Sequence, residues 1–384
     1  MFFRNFYSSK KNLTYQIEGT YENSYSLSIV NKAIAKALEL HTKSAVRIDA
    51  TKWHREYMQT IEDLDLEIKA LSHIKLRDID VSIRNIYPPY TKDIEGKIKI
   101  IGPYGWEESK FPKEYVLNFN RDLNMVFTMS SYVRNLLKEN GVTIPIVTTG
   151  IIVEDILHID SKPFLFNLPY GFRLLHISSL FPRKGADILL KAFDVFDENL
   201  EITLIIKGFP NPHNNIIAQL DELGFLVETT YEKDVFLYKK KRKKILLINK
   251  SIPESQIKYL YEQSNILVAP SFGEGFGLPM AEAMLLELPV LTTGYGGQSD
   301  FCTTQTSWLI DFTFQKAKTH MNLENSLWAV PKLSSLIEEI LTIYSLPKDA
   351  IVNKTKYAKQ YILENYSSKR VVKNIETAIN NISL

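Results

Sequence analysis

Gly273-Glu274-Gly275-Phe276-Gly277-Leu278-Pro279-Met280-Ala281-Glu282-Ala283-Met284 is the stretch that decides how this chain is organised. The apolar run Ile266-Leu-Val-Ala269 before it reads as a short buried strand, and Pro279 suits the first turn of a helix. The chain therefore passes from strand to glycine-containing loop to helix N-terminus. Glu274 falls on the loop and Glu282 one turn into the helix. Gly275 and Gly277 let a ligand come close to the backbone. The N–H groups around Phe276, Gly277 and Leu278, with the helix dipole behind them, suit a phosphate. Two carboxylates would repel that phosphate and are better suited to accepting hydrogen bonds from hydroxyls. Phosphate and hydroxyls in one cleft describe a nucleotide sugar. The alternative, a helix-capping glutamate plus an exposed helical one, leaves the glycines, Pro279 and the following strand Pro289-Val-Leu-Thr-Thr293 without a purpose.

A chain of 384 residues is too long for one ordinary core, so two domains are expected. Hydrophobic content of 45% and charged content of 23% are those of a soluble globular protein. No apolar run approaches the ~20 residues of a spanning helix, and the opening Met1-Phe-Phe-Arg-Asn-Phe is too broken for a secretion signal. The single cysteine, Cys302, excludes an internal disulfide and a cysteine-built metal site. Together these point to a cytoplasmic protein. Net charge is only +2, but Lys239-Lys-Lys-Arg-Lys-Lys244 is locally basic. Such a run is ordinarily a solvated loop; the other readings are peripheral contact with anionic lipid and, less favoured, a nucleic-acid backbone. It precedes the apolar segment 245–249 and so belongs at the amino end of a strand, away from the carboxyl ends where parallel sheets bind ligands.

Strand patterns at 13–18, 45–49, 80–84, 98–101, 125–128 and 145–148 are followed by a second series at 172–178, 202–207, 245–249, 266–269, 290–293 and 307–311. Helical patterns at 26–40, 186–193 and 254–262 alternate with them, and Ser251 with Glu254 reads as a capping box for the last. Apolar strands alternating with helices imply parallel sheets covered on both faces. The class is α/β, as two doubly wound units, 1–165 and 166–365, with a boundary where Pro163, Pro169 and Gly171 interrupt the periodicity.

Around Glu274 and Glu282 the sequence resembles the E-x7-E signature of retaining glycosyltransferases with the GT-B fold, most closely family 4 (group 1). The segments 21–31, 84–89 and 106–112 are also similar to bacterial members of that family. The resemblance implies two Rossmann-like domains facing each other across a cleft, the first on the acceptor side and the second on the donor side. It also implies a C-terminal helix, 366–384, that crosses back onto the first domain. Glu274 is then expected at the donor's sugar hydroxyls and Glu282 at the ribose. Ser178-Ser-Leu-Phe-Pro-Arg-Lys-Gly185 resembles the family's phosphate loop, and Lys184 matches its phosphate-binding lysine. The family usually has an arginine five or six residues upstream, where this chain has Ser178 and Ser179; Arg183 is the candidate for the second cation. Gly19, after the first strand, is expected to let backbone N–H groups face the donor, and Ser251 lies in the segment expected to meet the base.

Many family members carry a first-domain histidine beside the donor sugar, whereas this chain has Trp106-Glu107. Glu107 is read as its polar replacement and Trp106 as a stacking wall for a sugar, with a buried structural Trp–Glu pair as the equal alternative. His176 reads as a core histidine rather than a base, and Tyr295-Gly-Gly297 as either a phosphate-facing turn or a simple one. The triplets Asp63-Leu-Asp65 and Asp78-Ile-Asp80 are poorly placed for a metal, so cations and a helix N-terminus are expected to stabilise the leaving group without metal or cofactor. The reaction implied is retaining transfer of a hexose from a UDP- or GDP-hexose, with a slight lean to GDP-mannose. The acceptor is a hydroxyl of a glycan, glycolipid or glycoprotein. The alternatives are a non-catalytic nucleotide-sugar-binding scaffold and a sugar-nucleotide epimerase on the same fold.

Overall fold

The apolar runs become two sheets. The computed structural model describes residues 13–21, 26–50, 65–319 and 321–382. In the first half lie β1 (Thr14–Gly19), β2 (Ala45–Asp49), β3 (Val81–Asn85), β4 (Ile98–Tyr104), β5 (Met125–Thr128) and β6 (Ile146–Thr148). The helices α1 (Ser26–His41), α2 (Leu66–Ser72), α3 (Lys113–Asp122) and α4 (Ser131–Glu139) run between them. The strands pair in the order β2-β1-β3-β4-β5-β6, every pair parallel. β3 and β5 are buried along their whole length, as a sheet covered on both faces requires.

The second half contributes β7 (Phe172–Ile177), β8 (Ile202–Gly208), β9 (Leu226–Glu232), β10 (Val235–Lys240), β11 (Lys243–Asn249), β12 (Ile266–Ala269), β13 (Val290–Thr293) and β14 (Trp308–Ile310). Helices α5 (Ala186–Val195), α6 (Ile216–Glu222), α7 (Glu254–Glu262) and α8 (Leu278–Leu285) alternate with these strands. The sheet order is β14-β13-β12-β7-β8-β11-β10-β9, parallel as far as β11, with β10 and β9 added antiparallel at one edge. The chain closes with a two-stranded ribbon, β15 (Phe312–Lys316) and β16 (Leu327–Pro331), and with α9 (Leu333–Ser345), α10 (Lys348–Tyr366) and α11 (Ser368–Asn380).

Several contacts tie the two sheets together. α11 packs on α1, with Ser368 N donating to Glu154 Oε1 at 2.8 Å and Asn374 Nδ2 to the Thr149 carbonyl at 3.1 Å. The ribbon docks on the segment after β4: Ser109 N donates to the Leu327 carbonyl at 3.0 Å and Thr319 Oγ1 to Glu108 Oε1 at 2.7 Å. Asp300 Oδ2 accepts from Ser131 N at the first turn of α4, at 2.7 Å. These contacts hold the loops at the carboxyl ends of the two sheets facing one another.

Some expectations change. α7 begins at Glu254 with Pro253 at its N-cap and no side-chain cap, so the Ser251–Glu254 capping box does not form. Ser251 stands three residues before the first residue of the helix and is exposed. The run 239–244 is not a loop: it fills the ends of β10 and β11 and the turn between them. Its cations are locally compensated. Lys239 pairs with Glu228 at 2.8 Å, Lys240 with Asp194 at 2.7 Å and Lys241 with Glu198 at 3.4 Å, while Arg242 donates to Asn199 Oδ1 at 3.1 Å. Of the two acidic triplets, Asp63 lies outside the described residues. Asp65 caps α2, accepting from Ile68 N at 2.9 Å, and Asp80 pairs with Lys97 at 2.7 Å. Among the described residues no cluster of three metal-ligating side chains forms.

Candidate active site

β12 ends at Ala269 and α8 begins at Leu278, and the intervening loop holds Glu274. Gly277 at the N-cap has φ 99°, a conformation that favours glycine, and Pro279 sits in the first turn. Gly275 is needed for a different reason. A Cβ there would stand 2.9 Å from both Gly105 Cα and Trp106 N, so two backbones from opposite domains touch at this point. Ser130 Oγ, at the N-cap of α4, donates to the Gly275 carbonyl at 2.7 Å and fixes the contact. From behind, Gly297 N donates to the Glu274 carbonyl at 2.7 Å. That donation, and the Gln298 side-chain amide bonding the Thr293 and Tyr295 carbonyls at 3.0 and 2.8 Å, makes 295–297 a supporting turn for the Glu274 loop.

The loop after β7 approaches from the neighbouring strand. Gly185, at φ 71°, packs its α-carbon against the Pro270 carbonyl and starts α5, so Lys184 is carried toward Glu274. Lys184 Nζ lies 2.6 and 2.8 Å from the two carboxylate oxygens of Glu274, and Ser271 Oγ donates to the first at 2.7 Å. Arg183 donates to the Gly273 carbonyl at 3.0 Å and to Glu107 Oε1 at 2.9 Å, with Glu274 Oε2 3.7 Å away. Burial alone would raise the Glu274 carboxyl. Lys184 and Arg183 overcome it and hold that carboxyl below its usual range. Two cations and two anions thus interlock at the floor of a cleft of about 1200 Å³.

Glu282 faces the same cleft from α8, accepting from Tyr261 OH at 2.8 Å. Burial pushes its carboxyl up to about 7, with the Tyr261 hydrogen bond pulling the other way. His176 on β7 is buried, with Nδ1 2.9 Å from the Val268 carbonyl and Nε2 2.9 Å from Ser178 Oγ. Burial lowers its pKa to about 4. The neutral ring therefore donates from Nδ1 and accepts from Ser178, which itself accepts from Leu180 N at 3.0 Å. His176 is a strut for the phosphate-loop candidate.

Lys184, Arg183, Glu274, Glu282, Gly275, Phe276, Gly277, Leu278, Ser251 and Glu107 all line this one cleft. Of the two readings of Trp106, the structure favours one. The residue is only 3% exposed, its ring lies 5.0 Å from that of Phe111 and 6.5 Å from that of Tyr104, and its Nε1 donates to the Lys110 carbonyl at 2.7 Å. Trp106 still borders the cleft, but an indole packed and bonded in this way favours the buried structural reading over the stacking wall. Gly19 does not line the cleft. Its missing side chain makes room for the Asn31 amide, which bonds the Asn85 carbonyl at 3.2 Å. Ser271, Tyr261, Gly105 and Ser130 position the site and were not singled out from sequence; no local pattern marks them.

Opposed parallel sheets with this cleft between them are the GT-B architecture, and the comparisons agree. A glycosyltransferase from Rickettsia africae is 16% identical, with 96% of this chain and 98% of that one aligned at a TM-score of 0.66. For sucrose-phosphate synthase from Thermosynechococcus elongatus the values are 12%, 97%, 99% and 0.64. For Anabaena HepE in complex with UDP and glucose they are 14%, 97%, 100% and 0.63. At such identities the likeness establishes the fold.

Residues 171–320, which carry Lys184, Glu274 and Glu282, match the family Glycosyl transferases group 1. Over 128 residues the chain is 29% identical to O-antigen chain mannosyltransferase B of Escherichia coli, spanning 33% of this chain and 29% of the relative. Over 173 residues it is 25% identical to an uncharacterized glycosyltransferase of Methanocaldococcus jannaschii, spanning 45% and 40%. The chain thus covers less than half the length of either curated relative.

Proposed function

We propose that the protein transfers a hexosyl group from a nucleoside-diphosphate hexose to a hydroxyl of a glycan, with retention of configuration and without metal. The observation that carries this reading is the Lys184–Glu274 ion pair at the N-terminus of α8, with Glu282 on the same helix face of the cleft. A diphosphate placed between Lys184 and the first turn of α8 puts its sugar at Glu274 and its ribose at Glu282. As the glycosidic bond breaks, negative charge grows on the β-phosphate, where a cation and helix N–H groups oppose it. Glu274 is paired with Lys184 and Glu107 with Arg183, which supports positioning roles for both rather than that of a nucleophile for double displacement. Front-face departure and attack follows, with the donor's phosphate oxygen taking the acceptor proton. The named mannosyltransferase relative supports a lean to GDP-mannose, and the UDP-bound structural neighbour keeps UDP-hexoses as the second class.

The test is release of nucleoside diphosphate from a panel of UDP- and GDP-hexoses with glycan and lipid-linked acceptors, with and without EDTA, followed by the product's anomeric configuration. Retained configuration and unchanged turnover in EDTA support the proposal. Donor binding without release would select the non-catalytic scaffold, the reading that Ser178 and Ser179 favour by supplying no upstream cation.

A further inference from the structure

The interlocked quartet at the cleft floor leaves a charge shortage. Arg183 and Lys184 contribute two positive charges, and Glu107 and Glu274 cancel them. A diphosphate arriving there meets a site with no net charge. Ser178 cannot make up the difference, because its hydroxyl is committed to His176 and to Leu180 N. The sheet order places another cation close by. β7 lies between β12 and β8, and Ile177, the last residue of β7, pairs in register with Lys207 on β8. Ser178 N donates to the Lys207 carbonyl at 3.1 Å, so the phosphate-loop candidate starts against this residue.

Lys207 lines the cleft together with Ser178, Ser179 and Lys184. Its side chain is half-buried and, among the described residues, has no carboxylate partner. Its Nζ lies over the Phe209 ring, 5.9 Å from the centroid. Burial lowers its pKa with no acidic group pulling it back. Gly208, the next residue, leaves room for the Leu180 side chain of the same loop. Even a half-buried ammonium without a carboxylate partner gains when an anion comes to it.

We propose that Lys207 binds the diphosphate of the nucleotide donor from the β8 side, opposite the Lys184–Arg183 grip on the β12 side. The inference rests on the reading of the cleft as a nucleotide-sugar site. The sugar is released on the Glu274 side, so Lys207 is a binding residue for the nucleotide and not a member of the Lys184 pair.

Calorimetric titration of UDP and of GDP into the wild type, Lys207→Met, Lys207→Ala and Lys207→Arg tests it, at low and at moderate salt. Lys207→Met retains the stem, and its melting temperature without nucleotide checks the fold. The expected result is a loss of about tenfold or more in diphosphate affinity for Lys207→Met and Lys207→Ala, partly restored in Lys207→Arg and shrinking as salt rises. Equal affinities for wild type and Lys207→Met would overturn the assignment of Lys207 alone, leaving the nucleotide-sugar reading in place. A loss that Lys207→Arg does not reduce would also overturn it, because charge would not be the cause. A wild type that binds neither UDP nor GDP would remove the nucleotide-sugar reading, and this inference with it.

Discussion

Lys184 Nζ sits within hydrogen-bonding distance of both carboxylate oxygens of Glu274, at 2.6 and 2.8 Å, although the two residues are ninety apart in sequence. Lys184 helps to hold the Glu274 carboxyl below its usual range, while burial draws the Lys184 amine down against the opposing pull of Glu274. In the function proposed above, a donor shares these partners between its phosphate and its sugar hydroxyls.

Lys184→Ala is expected to lower the rate of transfer by roughly 10²–10³ while weakening donor binding much less, since charge concentrates on the leaving phosphate only as the bond breaks. Steady-state kinetics with a reactive donor give the answer. A raised KM with kcat untouched would reduce Lys184 to uniform binding.

Arg183 and Glu107 meet across the cleft, one from each half of the chain, at 2.9 Å. Both are partly screened from water, with side-chain exposures of 23% and 38%, so their coupling should exceed that of a surface pair. A double-mutant cycle of Arg183→Ala and Glu107→Ala on kcat/KM is expected to give a coupling of about 0.5–3 kcal/mol. Additive effects would mean that the pair does not hold the cleft together during turnover.

What the sequence showed and what it hid follow from where each kind of information resides. Runs such as Ile266–Ala269 and Val290–Thr293 are buried along their length, so composition alone marks them as strands of a parallel sheet. β9 is exposed along nearly its whole length and has no such mark; it exists because β10 pairs with it. The E-x7-E spacing is local and was legible. The ion pairs that Glu274 and Glu107 make bring together residues 76 and 90 positions apart, which no local pattern encodes. Trp106 and Glu107 differ in exposure for a similar reason: the backbone touches Gly275 at this point, where the indole is 3% exposed against the Phe111 and Tyr104 rings while the Glu107 carboxylate reaches Arg183.

The hairpin of β10 and β11 bears on membrane contact. With Lys239, Lys240 and Lys241 each paired to an acid, the run presents little net field to an anionic surface. Charge reversal at Lys241 and Arg242 is expected to leave co-sedimentation with phosphatidylserine vesicles at the wild-type level. A clear drop in binding would restore the lipid-contact reading of this segment.

Glu282 provides the pH dependence. Burial raises its carboxyl to about 7 in the folded protein, whereas a glutamate in the unfolded chain titrates near ~4.3. Between those values the folded state holds a proton that the unfolded state has lost. The contribution to stability is therefore fully present below the unfolded pKa and is lost as pH rises through about 7. Glu282→Gln cannot titrate, so the wild type should lose roughly 1–3 kcal/mol relative to that variant between pH 5 and 8, read from paired denaturant melts. Nucleotide binding should run the other way. The ionised carboxylate is the better acceptor for ribose hydroxyls, so wild-type affinity for GDP or UDP should rise through neutral pH relative to Glu282→Gln. The variant cancels the titration of the nucleotide's own phosphate. Parallel binding curves for the two proteins across this range would remove Glu282 from the ribose, even if the stability difference appeared as expected.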